Sequence, residues 1–71
     1  MELSEAQKLL LSLLKSLTTE TEVILTIMIA VKEEKKTEML LKKIEELHNN
    51  QELTIEKILE ELMRIATSKE L

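Results

Sequence analysis

The sequence predicts an all-α protein, a helical bundle in a single domain over residues 1–71. Apolar residues recur at helical spacing of three and four, and helix-capping motifs precede several of these stretches. Gly and Pro, which disfavour helix interiors most, are absent. A chain this short buries only about 60% of its unfolded surface, so a single copy has a marginal core that self-association would stabilise.

The first helix is predicted to begin after Ser4 and to run to about Leu17. Ser4-x-x-Gln7 is a capping box, in which each residue can satisfy a free backbone N–H at the helix start. Glu5 in the first turn is favourable to the helix dipole. The stripe that would face a core consists of Leu3, Ala6, Leu10, Leu13 and Leu17, and Leu9 and Leu14 widen it.

Residues 23–31 form an unbroken apolar stretch between Glu22 and Lys32, in which Thr26 is the only polar residue. Its many β-branched residues also suit a strand. Thr19-x-x-Glu22 is a second capping box, however, and good helix formers follow the stretch. No other segment resembles a partner strand, and a lone strand is not stable. The stretch is therefore predicted to be helical.

The extent of this middle helix is the main ambiguity. Residues 32–38 contain no apolar side chain, but they also contain no helix breaker. We predict one long helix from about Thr19 to about His48, which gives three helices: short, long and short. The alternative is a four-helix bundle with a break near Lys35, in which Thr37 is the N-cap of the third helix.

Residues 48–52 are predicted to be a loop because Asn tolerates the left-handed conformation that helix ends favour when Gly is absent. The last helix is predicted to begin after Thr54, a good N-cap. Leu53 before the cap and Ile58 inside the helix have the spacing of a hydrophobic staple.

A continuous middle helix would turn the apolar residues of its two halves toward opposite sides. Each short flanking helix would then cover only part of one side. The chain is therefore expected to form a homo-oligomer, with a dimer favoured. The predicted interface residues are Ile24, Ile27, Met28, Val31, Leu40, Ile44 and Leu47.

Residues suited to chemistry are few. The chain has no Cys and a single histidine, His48. Glu45-x-x-His48 has the spacing by which helix bundles bind metals, so Glu45 and His48 are weak metal candidates. A histidine in the last turn more commonly interacts with the free carbonyls there. No catalytic residue, cofactor, metal or small-molecule substrate is predicted, and the chain is not expected to be an enzyme.

Charge and hydropathy exclude two classes of partner. A net charge of −4 with Lys and Glu intermixed argues against nucleic-acid binding. No stretch approaches the ~20 apolar residues of a membrane span. The acidic start of the sequence does not resemble a signal peptide, so the expected location is cytoplasmic by default.

The amino-acid composition is unusually narrow. Average usage would give about five Gly and three or four Pro in a chain of this length. This chain has none of either, and it also lacks Asp, Cys and all aromatic residues. Such a reduced alphabet favours a de novo designed or engineered sequence.

Two functions fit the sequence. The first is a structural, self-assembling helical bundle without catalytic activity. The second is a small interaction module whose apolar face at residues 23–31 binds a partner helix. The four methionines, Met1, Met28, Met39 and Met63, are expected as core filler rather than as an adaptable binding surface.

Overall fold

A computed structural model describes residues 2–67 of the chain. The all-α prediction is confirmed in this part of the chain, which contains helices and no strand. Its four helices are α1 (Glu5–Leu17), α2 (Thr21–Ala30), α3 (Glu34–Asn49) and α4 (Ile55–Thr67).

Helices α1 and α4 begin where the capping motifs predict. The Ser4 hydroxyl accepts a hydrogen bond from the backbone N–H of Gln7 at 3.1 Å, and the Gln7 side-chain oxygen accepts one from the Ser4 N–H at 3.1 Å. The Thr54 hydroxyl accepts from the Lys57 N–H at 3.1 Å. Local side-chain chemistry is therefore enough to define both starts.

The prediction of a single long middle helix is wrong. Helix α2 ends at Ala30 and α3 begins at Glu34, as in the four-helix alternative. The break lies at residues 31–33, slightly before Lys35, which is in the first turn of α3. The capping box predicted at Thr19 does not form either, because Glu20 is the N-cap of α2 and makes no side-chain capping bond.

Thr37 explains why the chain breaks where no helix breaker is present. Its side chain is fully buried, and its hydroxyl donates to the Val31 carbonyl at 2.6 Å and lies 3.2 Å from the Glu33 carbonyl. A carbonyl at a helix end has no partner within the helix, and a buried one must find a donor elsewhere. Thr37 is thus not an N-cap, as the alternative assumed, but the donor that satisfies the end of α2.

Gln7 of α1 also contacts the connection between α2 and α3. Its side-chain nitrogen donates to the Lys32 carbonyl at 3.1 Å, while its side-chain oxygen takes part in the capping box of α1. The first turn of α1 is therefore attached to the connection between α2 and α3.

All four helices share one core. Around it the order is α1, α2, α4, α3, so each helix packs mainly against two others. The break at residues 31–33 allows the apolar sides of both α2 and α3 to face this core, whereas a continuous rod would have presented them to opposite sides. The buried apolar residues are Leu10, Leu14, Ile24, Ile27, Val31, Leu40, Ile44, Ile58, Leu62 and Ile65.

A loop follows α3, but at residues 50–54 rather than 48–52, because His48 and Asn49 belong to the helix. The residue that adopts the left-handed conformation is not an Asn. Gln51 has a φ of 60°, and its N–H donates to the His48 carbonyl at 3.1 Å. The Glu52 N–H donates to the Leu47 carbonyl at 2.8 Å. These two bonds form a Schellman motif, in which Gln51 occupies the position that Gly usually takes.

The Thr37 hydrogen bond can be tested by Thr37→Val, which keeps the side-chain shape but removes the donor to the Val31 carbonyl. We expect the free energy of unfolding in chemical denaturation to fall by about 1–3 kcal/mol. Thr67→Val is the matched control, since the exposed Thr67 hydroxyl also donates to a backbone carbonyl, that of Met63, at 2.9 Å. Equal losses in the two variants would mean that the Thr37 bond has no special role.

The position of the break can be tested with proline. Glu34 is the first residue of α3, and Glu33 before it is extended, with φ −84° and ψ 134°, as a residue before proline prefers. Glu34→Pro should therefore change the free energy of unfolding by less than about 1 kcal/mol. Lys42→Pro, within the same helix, should cost about 3 kcal/mol or more. A comparable loss for Glu34→Pro would argue for a continuous middle helix.

Candidate functional site

The outward side of α2 is the candidate functional site. Ile24 and Ile27 face the core, and Leu25 and Ile29 lie one turn apart on the opposite side of the helix. The side chains of Leu25 and Ile29 are 54% and 70% exposed. We call this pair, together with Thr26 between them, the outer face of α2.

Isolated exposed apolar residues are ordinary on protein surfaces. The outer face of α2 differs because no charge lies between Glu22 and Lys32. Its one polar side chain, Thr26, donates its hydroxyl to the Glu22 carbonyl of its own helix at 2.7 Å. A helix that is apolar on all sides is normally buried on all sides. In residues 2–67, the helices that pack on α2 leave this side in solvent.

The predicted interface residues are mostly covered within a single chain. Met28 and Leu47 are half-buried. The other residues in the prediction belong to the core, because the break turns both halves of the predicted long helix inward: Ile24, Ile27, Val31, Leu40 and Ile44. The homo-oligomer itself stays a prediction, and it requires other contact residues. The sequence indicated the excess of apolar residues in 23–31 but not which of them stay exposed.

A groove of about 870 Å³ runs between α1 and α3 and extends to the loop before α4. No sequence pattern indicated it, since it depends on how two distant helices pack. Both apolar and charged side chains line it, and most of the apolar ones are buried or half-buried. Its apolar lining residues are Leu9, Leu13, Met39, Leu41, Ile44 and Leu53, and its charged or polar ones are Lys35, Glu38, Lys42, Glu45 and His48.

The weak metal candidates Glu45 and His48 both lie at this groove, and both are exposed. Two ligands from one helix are too few for a tightly bound ion, since structural and catalytic zinc sites use at least three protein ligands. Within residues 2–67 no group of three or more His, Cys, Asp or Glu side chains is arranged to hold a metal ion.

The methionines divide between the core and the surface. Met28 and Met39 are partly buried and pack against the core, as expected of filler residues. Met63 on α4 is 69% exposed, contrary to that expectation. Met1 lies outside the described residues.

None of the helices within residues 2–67 combines the length and the hydropathy needed to cross a membrane. Comparisons of the chain with protein-family models, curated proteins and solved structures find no significant match. Function must therefore be inferred from the residues described above, above all from the outer face of α2.

Proposed function

We propose that this protein is a structural, self-associating helical bundle without catalytic activity, and that copies meet through the outer face of α2. The observation that carries the proposal is the exposure of Leu25 and Ile29 on a helix that carries no charge after Glu22. The smallest assembly that would cover this face is a homodimer. The narrow composition supports the further inference that the chain is designed or engineered.

Covering the outer face would be energetically favourable. Removing a leucine or isoleucine side chain fully from water contributes about 1.5–3 kcal/mol, and a symmetric dimer would cover two such residues from each copy. Thr26, the polar residue of the face, is small enough to allow close approach. Polar residues at the ends, Glu22 and Lys32, would form the rim that surrounds an apolar contact.

The alternative is an interaction module that receives a helix of another protein on the same face. Both functions require the same exposed residues, and they differ in what covers them. Self-association is the better supported of the two, because it needs no component other than this chain and stabilises a small core.

The test is the mass of the protein in solution, measured by sedimentation over a range of micromolar concentrations. Leu25→Glu should raise the dissociation constant of the dimer by at least about 100-fold, because each dimer loses two leucine contacts and gains two charges in an apolar contact. Leu9→Glu is the matched control, since Leu9 is also 54% exposed but lies in the groove between α1 and α3. It should leave the mass unchanged.

Two results would contradict this proposal. A wild-type protein that stays monomeric over the whole range would exclude self-association, and binding of a hydrophobic dye by that monomer would favour the interaction module. Dissociation by Leu9→Glu rather than by Leu25→Glu would place the contact in the groove. Circular dichroism of both variants checks that each remains folded, as expected for surface substitutions.

A further inference from the structure

We propose that the contact between two copies extends from the outer face of α2 onto α4, with Met63 as its third apolar anchor; this inference rests on the proposed self-association. Met63 is a large apolar side chain, and 69% of it is exposed. Within residues 2–67 it is not among the side chains that pack against the core. The fold of a single chain therefore does not account for an apolar residue at this position, whereas a second copy that covers it does.

The outer face of α2 is too small to form a stable contact alone. Helix α2 has 10 residues, so it is about 15 Å long and, with its side chains, about 10 Å wide. Its outward side therefore offers on the order of 200 Å². A specific contact between proteins buries at least about 500 Å² on each partner. The rest of the contact surface must come from a helix beside α2.

Helices α1 and α4 are the two that pack mainly against α2. The exposed residues of α1 are polar or charged, except Leu9, which lies in the groove at α3. On α4, by contrast, Met63 and Ala66 are exposed, and with the half-buried Leu59 they form an apolar row at spacings of four and three. The apolar surface beside α2 therefore continues on α4 and not on α1.

The row of Leu59, Met63 and Ala66 lies on the side of α4 toward α2. Arg64 lines a surface pocket with Met39 and Lys43 of α3, so its side of α4 faces α3. Leu59 is five positions before Arg64, which at about 100° per residue places it about 140° away around the helix. Leu59 also packs against the core. It therefore lies on the flank of α4 away from α3, and this flank faces α2, the other main neighbour.

The row also lies at the right level along the bundle. The Thr37 hydroxyl binds the Val31 carbonyl, so the start of α3 and the end of α2 lie at the same end of the bundle. Helix α4 turns back along α3 after a short loop, and its second half therefore lies beside the first half of α3. The second halves of α4 and α2 are thus side by side, which brings Met63 to the same part of the surface as Leu25 and Ile29.

The side chains of α4 suit such a contact. The Met63 side chain is flexible and can fill an irregular gap between two helical surfaces. Arg64 donates two hydrogen bonds to Glu61, at 2.7 and 3.0 Å, on the flank toward α3, so this charged pair would stay outside the contact. Glu60 lies 3.9 Å from its own cation, Lys57, and both are exposed, as expected of a polar rim.

The first test is the Met63→Glu variant, measured by sedimentation. It should raise the dissociation constant of the dimer at least about tenfold, because each dimer loses two methionine contacts and gains two charges in an apolar contact. Leu9→Glu is the matched control, since it makes the same change of charge at an exposed apolar residue outside the contact, and it should leave the mass unchanged. Met63→Leu keeps an apolar side chain of similar size and should dimerise like the wild type.

The second test asks whether association covers the Met63 sulfur, and it needs no substitution at that residue. Hydrogen peroxide transfers one oxygen atom to an accessible methionine sulfur, which becomes a sulfoxide as water is released. Mass spectrometry of peptides then gives the rate at each methionine. Met63 should react at least about threefold more slowly in the wild-type dimer than in the monomeric Leu25→Glu variant. Met39, on α3, should react at the same rate in both.

The outcomes separate this inference from the proposed function. If Leu25→Glu dissociates the protein, self-association stands, and the extension onto α4 is wrong if either Met63→Glu dimerises like the wild type or Met63 reacts equally fast in dimer and monomer. Dissociation by Leu9→Glu as well as by Met63→Glu would also overturn it, because the effect would then be one of charge and not of position. A wild-type monomer would overturn both proposals.

Discussion

The hydrogen bond from the Thr37 hydroxyl to the Val31 carbonyl is the interaction on which the four-helix arrangement depends. Val31 is fully buried at the end of α2, where water cannot supply the missing donor. A buried carbonyl without a partner would strongly favour continuation of the helix, which offers a backbone N–H at that point. Thr37 replaces that N–H from the first part of α3, and the chain can change direction while keeping its polar groups satisfied.

The sequence predicted the helix starts that depend on neighbouring residues. Ser4 and Thr54 act on N–H groups three positions further on, so their role can be recognised from the local sequence alone. The role of Thr37 could not be recognised in this way. Its residue type suggested a cap that accepts a hydrogen bond, whereas in the fold it donates one across a connection that only tertiary packing brings together.

The candidate site was predictable only in part, for a related reason. The uncharged stretch from 23 to 31 indicated more apolar surface than two short helices would cover. Which side of α2 stays exposed depends on where α3 goes after the break, and the sequence favoured a continuous helix there, with a break near Lys35 only as the alternative. Ile27 was therefore expected at an interface and lies in the core, while Leu25 and Ile29 were not singled out and are exposed.

Few interactions within helix α2 itself stabilise it. It is rich in β-branched residues, it has no side-chain cap at its start, and the donor at its end comes from α3. Gln7 adds a link from α1 to the residue that follows this end. Because the same glutamine side chain also completes the capping box of α1, loss of order at the beginning of α1 would remove one hydrogen bond from the connection after α2 as well. Local opening at the start of α1 is thereby coupled to the connection after α2 through a single solvent-exposed contact.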